Sequence, residues 1–69
     1  MVRVSREFKT RLKLADEPAY QIANKAGVNA TTLSKIINGI EKIQSGDERV
    51  CRVARVLGLS AKDAFEVVE

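Results

Sequence analysis

The chain contains no histidine and no tryptophan, and in 69 residues it has one cysteine, one proline, one tyrosine and two phenylalanines. Without histidine, neither a Ser–His nor a Cys–His nucleophile–base pair can be assembled, and the common structural zinc arrangements lose a ligand type. The lone cysteine, Cys51, excludes an internal disulfide framework and fits a reducing cytosol. No glycine-rich phosphate loop is present to cradle a nucleotide. The expectation is therefore no enzyme, no metal and no cofactor. No apolar run approaches the ~20 residues of a membrane span, and Met1–Ser5 lacks the apolar stretch of a signal peptide, so a cytoplasmic location is expected.

What is there suits one small domain, residues 1–69. A chain of this size buries only about 60% of its unfolded surface, so it needs an efficient core, a staple or a partner. The hydrophobic content of 45% is ordinary for a globular protein, and low-complexity tracts are absent. Twelve Lys and Arg stand against nine Asp and Glu, a net charge of +3 that fits nucleic acid without demanding it.

The four glycines and Pro18 punctuate the chain. Ser5 is placed to cap a first helix with Glu7 in its first turn, and Phe8, Leu12 and Ala15 recur on one helical face. Pro18 ends that helix and opens a second, Pro18 to Ala26, which Gly27 closes. Asn29 caps a third helix, from Ala30 to Asn38, stopped by Gly39. After a loop, Asp47 or Ser45 opens a fourth helix carrying Val50, Val53, Ala54 and Leu57, which Gly58 stops. Ser60 and Asp63 form a capping-box pattern for a short fifth helix holding Ala64 and Phe65. No segment sustains period-two alternation, so the expected fold class is all-α, a compact five-helix domain.

Residues Ala19 to Asn38 carry the functional signal. Ile22, Ala23 and Ala26 give the second helix a small apolar side, and Gly27 permits an abrupt turn. Leu33, Ile36 and Ile37 give the third helix an apolar side of its own. Two helices joined so tightly, crossing at roughly 90–120°, make a helix-turn-helix unit. The spacing Ile22-Ala23…Ala26-Gly27-Val28…Leu33-Ser34…Ile36…Asn38-Gly39 resembles the Cro/CI-type repressors, the lambda-repressor-like or XRE helix-turn-helix family. Val53 to Ser60 resembles that family's closing stretch, so the resemblance covers residues 5 to about 66. LacI-type headpieces share the Ala-Gly-Val element but begin almost directly at the helix-turn-helix. The capped helix that precedes it here favours the Cro/CI type.

The third helix can be read without the family. Thr31, Ser34, Lys35 and Asn38 fall at i, i+3, i+4 and i+7, opposite the apolar side, with one cation and no acid among them. A helix pressed against DNA needs such a face, because a carboxylate there would be repelled. The same stripe in isolation would pass for a merely solvated face.

The resemblance implies that Asn29, Ala30, Thr31, Ser34 and Lys35 contact bases. Lys35 would donate to guanine, Asn29 would pair with adenine, and the Ala30 and Thr31 methyls would meet a thymine methyl. It implies backbone contacts from Tyr20, Gln21, Asn38 and Lys42, with Arg3 as an N-terminal arm. Pro18 and Ala19 stand where relatives often place Gln or Thr, and no Arg or Gln stands on the stripe, which leaves more of the specificity to DNA shape.

The implied protein is a bacterial or phage transcriptional regulator, a repressor that binds double-stranded DNA as a homodimer on a two-fold operator. Leu14, Val56, Phe65, Val67 and Val68 are the apolar residues available for a dimer contact, though the C-terminal ones fit closing the core equally well. The alternative is an antitoxin or anti-regulator that uses the fold to hold a protein partner such as a toxin, and a third possibility is a piece of a longer repressor. Tyr20 fits packing at a helix end as well as phosphate contact. Cys51 reads as a small, partly buried hydrophobe, and Lys9, Lys13, Arg52 and Arg55 read as solvated faces.

Overall fold

The computed structural model describes residues 1–68. The chain runs β1 (Val2–Val4), α1 (Arg6–Leu14), α2 (Ala19–Ala26), α3 (Ala30–Ile37), α4 (Glu48–Val56), α5 (Ala61–Ala64) and β2 (Phe65–Val67). The all-α expectation is overturned: β1 and β2 form a two-stranded antiparallel sheet, with Val2 opposite Val67, Arg3 opposite Glu66 and Val4 opposite Phe65. Phe65, expected in the fifth helix, instead begins β2, and that helix stops at Ala64. Each strand is three residues long, too short to display an alternation. Their stability comes from pairing with each other and from one buried side chain, Val4.

Ser5 locks this closure. Its hydroxyl oxygen accepts the Phe8 N–H at 3.1 Å and so caps α1. The same hydroxyl donates to the Asp63 carbonyl, and the Ser5 N–H donates to the Ala64 carbonyl at 2.9 Å. One buried serine thus starts a helix and holds α5 against it. The remaining caps follow the residue types that predict them. Asn29 caps α3, Asp47 caps α4 and Ser60 caps α5. Pro18 is the N-cap of α2 rather than its first residue. Gly27 ends α2 at φ +73°, where a side chain would strain the backbone, and this allows a turn of only three residues before α3.

The core gathers Val4, Phe8, Leu12, Ile22, Ala23, Leu33, Ile36, Val50, Val53 and Ala54. Here α2 packs against both α3 and α4, and α4 packs against α5. The strand that sequence patterning does not reveal matters to the site, because β1 packs against α3. Ile43, in the loop before α4, makes an isolated bridge to Val2 on the same strand.

The sheet also carries an electrostatic clasp. The Arg3 Nε donates to Glu66 at 2.6 Å, and the Arg6 N–H reaches the other carboxylate oxygen at 3.4 Å. The Arg3 hydrogen bond, opposed by desolvation and aided by the Arg6 amide, holds the Glu66 carboxyl below its ordinary value of 4.5. Asp47 is held below its ordinary 3.8, chiefly by the Arg49 side chain. Because both folded values are depressed, their stabilisation is present above the ordinary values and is lost as pH falls through the folded ones. The urea midpoint should therefore hold steady from neutral pH and decline once pH drops below about 4.5. Glu66→Gln should flatten part of that decline. A variant with an unchanged acid limb would mean that the clasp contributes nothing, as many exposed pairs do.

Candidate nucleic-acid interface

Helix α3 is eight residues long, and its two sides separate cleanly. Leu33 and Ile36 are buried and Ile37 is half-buried, while Thr31, Ser34, Lys35 and Asn38 are all exposed. Lys35 has no carboxylate partner among the described residues, so its ammonium is available to an outside anion. Its backbone carbonyl accepts the N–H groups of Ile40 and Glu41, which folds the chain back just beyond the helix. The Asn38 amide reaches the Ser34 hydroxyl at 3.4 Å, so these two polar groups form one edge of the stripe.

Asn29 stands exposed at the leading end, yet its side chain is already committed. Its Oδ1 accepts from Thr31 N–H at 2.8 Å and Thr32 N–H at 3.3 Å, which uses both lone pairs. Two-point pairing with adenine needs that oxygen as an acceptor, so Nδ2 alone remains to donate to a phosphate or a base nitrogen. Asn29→Ala should lower stability by about 1 kcal/mol through loss of the cap. Asn29→Asp separates the two roles: it keeps the cap, and its charge favours the helix start, but it should weaken any DNA complex. Urea titration and duplex binding read the two effects independently. Equal loss in both assays would contradict the separation.

Ala30 lies half-buried beside Asn29 and packs against the core. At the start of α2, Tyr20 and Gln21 are exposed and sit side by side, Gln21 Nε2 lying 3.5 Å from the Tyr20 hydroxyl. Pro18 offers no side-chain cap, so the first amides of α2 have no side-chain acceptor. Lys42 is exposed in the loop after α3 and makes no ion pair among the described residues. Its carboxylate neighbours are already held, Glu41 and Asp47 by Arg49 and Glu48 by Arg52.

Arg3 is not a free arm. It lies within β1 and is tied to Glu66. The five apolar residues considered for a dimer contact also divide. Leu14 and Val56 line one groove of about 410 Å³ with Leu57, while Phe65 and Val67 line another with Val2. Val68 is half-buried beyond β2 and donates its N–H to the Met1 carbonyl.

Patterning of single helices misses one feature. From Pro18 to Ile40 the chain has no acid at all, so the acid-free region covers α2, the turn and α3 together. Its two cations differ, because Lys25 is paired with Glu17 and Lys35 has no partner among the described residues. A simple scan for runs without Asp or Glu finds it. Among the described residues no helix is long and apolar enough to cross a membrane. Comparison with family models, with curated proteins and with solved structures finds no match for this chain.

Proposed function

We propose that the chain is a sequence-specific DNA-binding transcriptional regulator, a repressor of the Cro/CI helix-turn-helix type acting in the cytoplasm. It lays α3 in the major groove of a two-fold operator and binds as a homodimer. The observation that carries the reading is the exposed face of α3, where Thr31, Ser34, Lys35 and Asn38 stand together without an acid, the Lys35 ammonium having no carboxylate partner among the described residues. Short polar side chains allow close approach to base edges, and a lone cation gives modest attraction. One such helix covers only a half-site, so a symmetric pair about 34 Å apart accounts for useful affinity. With a single lysine and no Arg or Gln on the face, groove shape carries much of the discrimination.

Selection of bound fragments from genomic DNA, followed by titration at several salt concentrations, tests the proposal. The expected result is an enriched two-fold sequence whose affinity falls linearly with log salt. Absence of enrichment together with salt-independent binding overturns it. Sedimentation showing a monomer both free and on the selected duplex would overturn the dimer alone.

A second reading, an antitoxin or anti-regulator that grips a protein, draws support from one observation. Leu14 is 75% exposed and shares with Val56 and Leu57 a groove that Arg11, Asp16, Glu17 and Lys25 also line, an apolar patch rimmed by charge. An anti-regulator would show no salt-dependent affinity for duplex DNA, and the same titration distinguishes it.

A further inference from the structure

The outer face of α1 presents Arg6, Lys9 and Lys13 at spacings of three and four residues, all exposed. None makes an ion pair among the described residues, whereas Glu7 and Arg11 on the neighbouring face pair with each other. Lys9 and Lys13 line a groove of about 570 Å³ together with Pro18 and Ala19 at the start of α2 and Ile37 at the end of α3. Three acids border this row. Glu66 is held by Arg3 and Glu17 by Lys25, which leaves Asp16 as the one without a cation among the described residues. The cations on and around the row number five, Arg3 and Lys25 included, against these three carboxylates.

We infer that this row is a second contact surface for duplex DNA, gripping the phosphate backbone that flanks the groove occupied by α3. The inference rests on the DNA-binding reading above. A helix lying in the major groove leaves its ends beside the flanking backbones, and the far end of α3 opens onto the lysine-lined groove. The row spans about 10 Å of helix at 1.5 Å per residue, enough to meet two phosphates of one strand. Contacts of this kind fix register and orientation without reading sequence. They also supply the attraction that a single lysine on α3 leaves wanting.

The test is a double variant, Lys9→Gln with Lys13→Gln, beside Asp16→Asn. Glutamine keeps helix propensity at exposed positions, and circular dichroism checks the fold. Binding to the selected operator and to a mixed-sequence duplex of about 20 base pairs is followed over a range of salt concentrations. The double variant should reduce the slope of log affinity against log salt by roughly two units while leaving the base preference of the selected operator unchanged. Asp16→Asn should bind more tightly than the wild type at low salt. A double variant that keeps the wild-type slope, or an Asp16→Asn protein that binds no tighter, overturns the inference. If instead the wild type itself shows no salt-dependent binding to any duplex, the DNA-binding reading fails first.

Discussion

Phe8→Ala should remove about 3–5 kcal/mol of stability, a loss comparable to the lower half of what a chain of this size has in total. Phe8 is fully buried, and the other two aromatics, Tyr20 and Phe65, are exposed and half-buried. It lies on the first helix and is also the residue whose amide Ser5 caps, so its loss opens a cavity beside the junction of α1 and α5. At about 0.05–0.15 kcal/mol per residue, a chain of 69 residues has roughly 3–10 kcal/mol to lose. Cavity cost and total stability are therefore of the same size. Urea unfolding checks the value through the shift in midpoint at constant slope. A loss below about 1 kcal/mol would mean that the surrounding side chains collapse into the space.

The same variant bears on function. A ligand that binds only the folded state raises apparent stability by about 2.7 kcal/mol at a hundred times its Kd. Operator DNA in excess should therefore restore much of the transition lost in Phe8→Ala. This follows from linkage alone and requires no contact between Phe8 and DNA.

The helices were legible because their ends are written in local chemistry. Ser5, Asn29, Asp47 and Ser60 each supply an oxygen to an amide two or three residues on, and that distance is fixed by the helix itself. The strands were not legible, for the converse reason. Val2–Val4 finds its partner in Phe65–Val67 more than sixty residues away, and nothing within either triplet announces the other. Phe65 follows Ala64 directly, so its apolar character fits a helical face until the pairing with Val4 claims it.

On the site, polarity was legible and commitment was not. The residue types show that Thr31, Ser34, Lys35 and Asn38 share a face. That Asn29 spends both lone pairs on the backbone, and that Arg3 is bound to Glu66, depends on distances. Lys9 and Lys13 pass for an ordinary solvated face in sequence. They acquire interest only beside Ala19 and Ile37, where three helices meet.

Lys35→Glu should abolish the preference for the operator over other duplexes at physiological salt while leaving the fold intact. The side chain is exposed and makes no ion pair among the described residues, so little folding energy depends on it. Placed in the last turn of α3, a glutamate opposes the helix dipole at a cost of about 0.3–1 kcal/mol, well below what unfolding requires. Its effect on binding is larger. The face loses its only cation and gains a charge of the same sign as the phosphates on either side of the groove.

Lys35→Ala then distinguishes how the lysine works. As a donor to a guanine edge, its loss should relax preference at one base pair, at about 1–3 kcal/mol, and leave other positions alone. As a phosphate contact, its loss should weaken all sequences evenly and reduce the salt slope by about one unit. The expected result is the first, because Lys35 shares its face with Thr31 and Ser34, whose short side chains act only when bases are close. An alanine variant that binds every duplex as the wild type does would remove α3's exposed face from the interface, and the proposed function with it.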